Sequence, residues 1–163
     1  ARALWAEAGA TDLRLRMALP PPSYARRGGE IIASQLRAVG IATDITNMEW
    51  AQWLEQVFRG KDFDLTIVSH TEPADINIYA RPNYYFQYDN AGFQALMETL
   101  GITADADART ALLQDAQKMI AADYVNGYLF QLALTSVVNA KLTGIWEDAP
   151  TQAIDLTAVS WSE

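Results

Sequence analysis

Residues 63–75 read FDLTIVSHTEPAD, and the pattern changes half way along this stretch. In residues 63–68, apolar side chains recur at every second position without Gly or Pro, which predicts a β-strand. Pro73 has no amide hydrogen to give to a sheet, so the strand is expected to end near Ser69. The remainder, residues 70–75, is predicted to form a loop at the carboxyl end of that strand.

This loop holds the only histidine of the chain, His70, and two carboxylates, Glu72 and Asp75. In open α/β sheets, ligands bind in the crevice beyond the carboxyl ends of the strands. We therefore expect the loop, which also contains Thr71, to face a binding crevice. At least one of its two acids is expected to contact the ligand.

The preceding sequence supplies neighbours for this strand. Alternating patterns predict strands at residues 13–19 and 42–48, and apolar side chains at helical spacing predict a helix after each of them. The first of these helices ends at Gly40, and the second, capped by Asn47, ends at Gly60. The order β-α-β-α-β with short joints predicts an α/β fold, an open parallel sheet flanked by helices.

After the loop, the sequence predicts two further helices and two further strands. In chain order, these are a helix capped by Asp89 or Asn90 and closed by Gly101, a helix starting within residues 103–105, a buried apolar strand at 128–138 and a weaker strand at 154–161. No repeat or internal linker interrupts the chain, which predicts one domain.

Composition excludes several classes of function. The chain has 163 residues and a net charge of −8, which argues against a nucleic-acid surface, and it has no cysteine for a disulfide, a thiol nucleophile or a zinc–thiolate site. No apolar run approaches the ~20 residues that span a bilayer, and no signal peptide is visible. Because the chain begins without Met inside a predicted helix, we expect a piece of a longer protein.

Several short motifs, in this order, resemble the C-terminal lobe of the extracytoplasmic solute-binding proteins of peptide/nickel-type ABC importers. They are Ala6-Glu7-Ala8-Gly9, Gln35-Leu36 with Val39-Gly40-Ile41, Glu49-Trp50 followed by Phe63-Asp64-Leu65, Tyr88-Asp89-Asn90 with Phe93, and Leu142-Thr143-Gly144-Ile145. The resemblance covers nearly the whole chain. It implies that residues 1–163 form the C-terminal ligand-binding lobe of a two-lobed receptor with a periplasmic binding protein-like, type II-like topology.

The resemblance also implies partners and a location. The expected partners are a small peptide-like solute, the N-terminal lobe of the same protein and ABC permease subunits, and the expected location is the periplasm or a lipid anchor outside the cytoplasm. No cofactor, resident metal or enzymatic activity is expected. The solute is expected to be a di- or oligopeptide or an amino-acid derivative, with nickel or a metal chelate as the alternative within the family.

The family pattern can be carried onto this sequence at a few positions. In the family the sheet order is 2-1-3, which would set residues 20–24 beside residues 69–75 and turn the helix start near Ala25 toward the cleft, where free amide groups favour a carboxylate. His70 stands where many peptide-binding members have Trp, and Glu72 is the nearest match to the acid that binds the ligand's amine. The departure from the family pattern leaves Glu72 and Asp75 both open for that role.

Other side chains have both structural and functional interpretations. Tyr24 follows a proline run at a strand end, which makes contact with the ligand as plausible as packing. Tyr79 belongs to an aromatic-rich segment that is expected to hold down its own loop, with Tyr79 nearest the ligand. Trp50 and Trp53 are expected to pack in the core. Arg14 and Arg16 are expected to reach solvent or a carboxylate.

Enzymatic alternatives find little support in the sequence. His70, Glu72 and Asp75 could ligate a metal, which leaves a metal-dependent hydrolase as the remaining enzymatic hypothesis. No G-x-S-x-G elbow and no Gly-rich phosphate loop are present. A phosphorylatable receiver domain would need acids directly after the first and third strands, where this chain has prolines and Ser69.

Overall fold

A computed structural model describes residues 1–9, 13–70, 75–131, 133, 135–147 and 155–162. The chain divides into two units, Ala1–His70 with Arg81–Tyr88, and Thr71–Ala80 with Asp89–Glu163. Assignment of residues 1–163 to one lobe of a larger protein stays a prediction. Among the residues so described, no helix is both long and apolar enough to cross a membrane.

The first unit is built on a three-stranded parallel sheet. Its strands are β1 (Arg14–Leu19), β2 (Ala42–Asn47) and β3 (Leu65–Thr66), and their order is β2-β1-β3. The side chains of Met17, Ala18 and Leu19 are buried, as expected for the central strand. The predicted α/β fold and the 2-1-3 strand order are both confirmed.

Strand β3 is shorter than the sequence predicts. Leu65 and Thr66 pair with Met17 and Ala18, and the pairing ends there instead of reaching Ser69. The central strand runs into Pro20, whose nitrogen carries no hydrogen to donate. The ladder therefore stops at the end of β1, and the chain after Thr66 leaves the sheet early.

Helices α1 (Arg2–Glu7), α2 (Ser23–Ala38) and α3 (Trp50–Trp53) also belong to this unit. Helix α2 ends as predicted at Gly40, which has φ of 97°, while the amide of Ile41 donates to Leu36 O at 3.0 Å and that of Gly40 donates to Arg37 O at 3.0 Å. These two bonds form a Schellman motif.

A glycine lets α2 lie close to the central strand. A Cβ atom added at Gly29 would lie 3.2 Å from the sulfur of Met17 and closer still to the Leu19 side chain. At Gly28, by contrast, the nearest atom would be Ile67 Cδ1 at an ordinary 3.5 Å. The start of α2 is thus held near the carboxyl end of β1.

Two details of the following helix differ from the sequence prediction. Helix α3 starts at Trp50 after Glu49, not after an Asn47 cap, since β2 continues through Asn47. Trp53 is 4% exposed, but Trp50 is 42% exposed, and its ring makes an edge-to-face contact with that of Trp53. From Leu54 to Arg59 the helix widens into a π-helix.

Arginines of β1 pair with carboxylates, as expected. Arg14 forms an ion pair with Asp44, and Arg16 forms ion pairs with Asp62 and Asp64. Asp64 also accepts the backbone amide of Arg16 at 2.7 Å. The side-chain and backbone bonds from Arg16 lower the pKa of Asp64 below its usual value.

The second unit contains three helices and a pair of short strands among its described residues. Its elements are a 3₁₀ helix (Asp75–Ala80), α4 (Ala91–Ile102), α5 (Ala106–Ala122), β4 (Leu142–Thr143) and β5 (Ser160–Trp161), the two strands being antiparallel. Asn90 caps α4 by accepting the Phe93 amide at 3.0 Å, and Asp105 caps α5 by accepting the Ala108 amide at 2.8 Å. The Asn90 cap and the start of α5 agree with the sequence prediction, although α4 runs one residue past Gly101.

The predicted strand at residues 128–138 is wrong as far as the structure describes it. None of residues 128–131, 133 and 135–138 is in a strand, and all of them are exposed. The final predicted strand is reduced to Ser160–Trp161, and its first residue, at position 154, lies outside the described residues. The apolar sequence of residues 128–138 predicts burial, but a segment is buried only where another surface packs against it.

Candidate functional site

Strands β1 and β3 are neighbours in the sheet, and the chain leaves both of them at the same edge of the sheet. Strand β1 ends at Leu19 and β3 ends at Thr66, and parallel strands end on the same side. Tyr24, in the first turn of α2, accepts the backbone amide of Ser69 through its hydroxyl oxygen at 3.0 Å. The expected proximity of residues 20–24 to the chain beyond β3 is therefore found at Ser69.

His70, the next residue, packs against an aromatic segment, Arg81–Tyr88. Its ring is parallel to that of Tyr85, at 4° between planes and 6.1 Å between centroids, and its Nε2 lies 3.1 Å from the Tyr85 hydroxyl oxygen. His70 is half-buried and Tyr85 is buried. The prediction that His70 is packed or hydrogen-bonded is confirmed.

Tyr85 anchors this arrangement as a neutral phenol. Burial raises the pKa of its hydroxyl well above the usual value, and the nearby hydroxyls of Tyr84 and Tyr24 raise it further. Its proton therefore stays in place across the physiological pH range. The site has at its floor a buried hydroxyl that is able to donate or accept a hydrogen bond but carries no charge.

Tyr85 belongs to a buried cluster that holds the ends of strands β1 and β3 in place. Its members are Ala18, Met48, Trp53, Val57 and Tyr85, with Phe63, Val68, Tyr84 and Phe86 packed around them. Trp53 donates its indole hydrogen to the Thr66 hydroxyl at 3.0 Å, and that hydroxyl donates to the Ala18 carbonyl at 2.7 Å. This hydrogen-bonded chain ties helix α3 to both β3 and β1.

The start of α2 lies two residues earlier than predicted. The helix begins at Ser23 instead of near Ala25, and the amides of Ala25 and Arg26 donate to the Pro22 carbonyl at 3.0 and 3.2 Å. Amides available to an anion in this first turn would therefore be those of Ser23 and Tyr24. The Arg26 guanidinium reaches the Met48 carbonyl at 3.3 Å.

The structure describes two further predicted site residues. Asp75 and Tyr79 belong to the second unit, where Asp75 opens the 3₁₀ helix. Tyr79 is 8% exposed. Its hydroxyl oxygen accepts a hydrogen bond from the Asn126 side chain and lies 3.3 Å from the hydroxyl oxygen of Tyr128. Thr71 and Glu72 lie outside the described residues, so their predicted contacts stay predictions.

Sequence reasoning missed the two partners that hold Tyr24 and His70. Ser69 contributes a backbone amide, which no residue-type pattern reveals. Tyr85 lies in an aromatic run, Tyr84-Tyr85-Phe86, that the sequence assigned to loop packing without singling out one ring. A tyrosine inside such an aromatic run could have been singled out from the sequence, because its hydroxyl needs a hydrogen-bond partner once the ring is buried.

A metal site has no support from the described side chains. Among them, no three His, Cys, Asp or Glu residues come together in a way that could hold an ion. His70 has Tyr85 as a neighbour, and Asp75 is in the other unit. The arrangement at the sheet edge offers hydroxyl, amide and imidazole groups, which suit hydrogen bonding to a polar solute.

Comparisons with known proteins extend this description. The sequence matches no model of a protein family and no curated protein. Its structure is similar to that of the pheromone receptor PrgZ, which is described by its mode of peptide binding, with a TM-score of 0.75, 16% identity and coverage of 99% of this chain and 34% of the receptor. It is also similar to a dipeptide-binding protein from Pseudoalteromonas sp. SM9913 in complex with Met-Leu, with a TM-score of 0.71, 21% identity and coverage of 99% and 35%.

A third similar structure is that of NikA from Brucella suis in complex with Fe(III)-EDTA. It has a TM-score of 0.64 and 20% identity, and the match covers 76% of this chain and 30% of NikA. The chain thus spans about a third of the length of the solved structures it matches. At these identities, the likeness concerns the fold. The resemblance seen in the sequence is confirmed at that level: the chain has the fold of part of a periplasmic binding protein-like lobe.

Proposed function

We propose that this chain is a ligand-binding lobe of an extracytoplasmic receptor that delivers a peptide-like solute to an ABC importer. The observation that carries the proposal is the meeting of Tyr24, Ser69 and His70 beyond the carboxyl ends of β1 and β3. This is the place where open α/β sheets bind ligands. Of two solved structures that share this fold over 99% of the chain, one is a dipeptide-binding protein in complex with Met-Leu and the other is a pheromone receptor described by its mode of peptide binding.

The proposed role needs no chemistry on the solute. Receptor function requires hydrogen-bonding groups on a rigid floor, and the buried Tyr85 and its aromatic neighbours supply such a floor. The first-turn amides of α2 would bind the carboxylate of a peptide. The amine of the same peptide would be bound by Glu72 or Asp75. We place the receptor in the periplasm or on a lipid anchor, and its partners are a second lobe and the permease subunits.

The proposal is tested by ligand screening on the longer protein that contains this chain. A library of di- and oligopeptides, with the matching free amino acids as controls, is screened by thermal shift. A ligand present at 100 times its Kd is expected to add ~2.7 kcal/mol to the free energy of unfolding. A screen in which peptides stabilise the protein no more than free amino acids would contradict the peptide assignment.

The isolated chain gives a second test. Ligand sites usually enclose roughly 70–90% of the ligand surface, which one lobe does not supply alone. We expect the 163-residue chain to bind the same peptide far more weakly than the longer protein does in calorimetry. Equal affinities would contradict a clamp made of two lobes.

A metal chelate is the second candidate solute. It is favoured by the similarity to NikA, which was solved with Fe(III)-EDTA. A chelate that already fills the coordination sphere of its metal needs hydrogen bonds and aromatic contacts from the protein, and His70 and Tyr85 offer both. The thermal-shift screen therefore includes nickel and iron chelates beside the free metal salts.

A further inference from the structure

Asn126 and Gly127 lie just beyond α5 and form the only Asn-Gly pair in the chain. Each of the other asparagines is followed by a residue with a side chain; these are Asn47, Asn77, Asn83, Asn90 and Asn139. Both residues of the pair are exposed. Because glycine has no Cβ atom, its backbone nitrogen is able to reach the side-chain carbonyl carbon of the asparagine that precedes it.

The backbone at this pair is open to such an approach. Within the described part of the chain, the amide of Gly127 donates to no other backbone group. A Cβ atom added at Gly127 would meet no other atom within 4 Å, so the space beside this residue is empty. The nitrogen of Gly127 is therefore neither held by a backbone bond nor shielded by a neighbouring group on that side.

One contact holds the Asn126 side chain. Its amide group donates a hydrogen bond to the hydroxyl oxygen of Tyr79, which is buried in the 3₁₀ helix Asp75–Ala80 and makes an edge-to-face contact with Phe93. Loss of the side-chain amide removes the donor of this bond. The bond therefore stabilises the unreacted asparagine, and it is expected to slow any reaction that consumes the amide group.

We propose that Asn126 is a site of spontaneous deamidation and that its hydrogen bond to Tyr79 slows the reaction. The Gly127 nitrogen gives up its proton to hydroxide and attacks the side-chain carbonyl carbon of Asn126. The new carbon–nitrogen bond closes a cyclic imide, while the side-chain nitrogen takes up a proton and leaves as ammonia. Reaction between adjacent residues of one chain needs no further component to be brought in. Water then opens the imide at either carbonyl and gives aspartate or isoaspartate, without oxidation or reduction.

The products change the surroundings of Tyr79. A carboxylate replaces a hydrogen-bond donor beside the hydroxyl groups of Tyr79 and Tyr128, whose oxygen atoms are 3.3 Å apart. The net charge of −8 becomes one unit more negative. Isoaspartate also lengthens the main chain by one carbon between α5 and Tyr128. No solute takes part in these steps, so the inference is independent of the proposed function.

The reaction is tested on the 163-residue chain at mildly alkaline pH, in water enriched in heavy oxygen. After digestion with trypsin, mass spectrometry should find heavy oxygen at Asn126, as a mixture of aspartate and isoaspartate. Asn139 is the internal control, since Lys118 and Lys141 bound one tryptic peptide that contains both asparagines. No conversion at Asn126, or equal conversion at Asn139, would overturn the proposal. Aspartate without isoaspartate would overturn the cyclic imide.

Two substitutions test the parts of the mechanism separately. Gly127→Ala adds a methyl group in an empty place at a residue without positive φ, so the fold should be kept while conversion falls to the level of Asn139. Tyr79→Phe keeps the buried ring and removes the acceptor. The rate should then rise about two- to tenfold, the effect of one neutral hydrogen bond. Tyr124→Phe, at a ring that is 90% exposed, should leave the rate unchanged.

Equal rates in wild type and Gly127→Ala would overturn the attack by the backbone nitrogen. Equal rates in wild type and Tyr79→Phe would overturn the role of the hydrogen bond. Wild type unfolded in urea gives the second comparison without a substitution, because unfolding breaks the same bond. A rate in urea no faster than that of the folded chain would also overturn the role of Tyr79.

Discussion

The hydroxyl oxygen of Tyr24 accepts the backbone amide of Ser69 at 3.0 Å and so joins the start of α2 to the chain that leaves β3. These residues are 45 positions apart in sequence, and the bond lies at the sheet edge where the proposed ligand binds. It fixes the Tyr24 ring at that edge. The bond is therefore a direct link between the fold and the proposed binding site.

Tyr24→Phe removes this acceptor and keeps the ring. A neutral hydrogen bond contributes about 0.5–1.5 kcal/mol, and because Ser69 is exposed its amide can turn to water instead. We expect a small loss of stability and faster exchange of the Ser69 amide, measured by NMR. Tyr124→Phe is the control, since Tyr124 is 90% exposed, and it should change neither quantity.

Gly29→Ala tests the close approach of α2 to β1. A methyl group at this position would collide with Leu19, and overpacking of this kind costs about 1–3 kcal/mol. Gly28→Ala is the control, because its methyl group would meet Ile67 at an ordinary 3.5 Å while Ala favours the helix by up to about 1 kcal/mol. Urea unfolding should show Gly29→Ala destabilised and Gly28→Ala unchanged or stabilised. The reverse order would contradict the packing described here.

Stability should depend on pH through Asp64. Its hydrogen bonds from Arg16 lower its pKa in the folded state, so the stabilisation is fully present above the pKa of the unfolded chain and is lost as the pH falls through the lower, folded pKa. Wild type should therefore exceed Asp64→Asn in melting temperature at pH 6 by more than at pH 3. Glu30→Gln on the exposed side of α2 is the control, with a difference that stays constant. A gap between wild type and Asp64→Asn that widens toward pH 3 would refute this account.

The amine of a peptide solute should depend on one of two acids. Breaking one side of a buried charge pair costs about 2–5 kcal/mol, so Glu72→Gln or Asp75→Asn in the longer protein should weaken binding by at least about tenfold. Asp107→Asn, far from the strand end in sequence, should not. Calorimetry with an amine-bearing ligand measures both effects. If neither loop substitution changes Kd, the loop after β3 is not the amine site.

The 163-residue chain should bind nickel and zinc only weakly. His70 is the only imidazole, and it is stacked on Tyr85; among the described residues no three His, Cys, Asp or Glu side chains come together in a way that could hold a metal ion. After dialysis, metal analysis of wild type and His70→Ala should give equally low contents. A stoichiometric complex in the wild type that disappears in His70→Ala would instead establish a metal site.

The sequence predicted the parts of the fold that depend on neighbours in the chain. The alternation in β1, the Schellman end at Gly40, the cap at Asn90 and the start of a helix near residues 103–105 are local, and all are found. The local sequence pattern did not predict contacts between residues that are distant in the chain. Nothing in the local pattern shows that Pro20 would stop the ladder before Ser69.

The same limit applies to the candidate site. Position after a strand end was enough to single out Tyr24 and His70 as candidates. Their partners, the Ser69 amide and the Tyr85 hydroxyl, depend on how three segments come together, and periodicity carries no information about that. The exposure of the described residues within 128–138 is a further case, because burial of an apolar run depends on a surface elsewhere.

The near-contact of Gly29 with Leu19 also bears on how this chain can vary. A residue with a side chain at position 29 must displace the buried Leu19 side chain or push the helix outward, and outward movement of the helix would carry Tyr24 with it. Substitutions on the opposite side of α2, for example at the exposed Ile31, have no such effect. In a library of variants selected for solute uptake, the two sides of one helix should therefore diverge at different rates, and the slow side should be the one that faces β1.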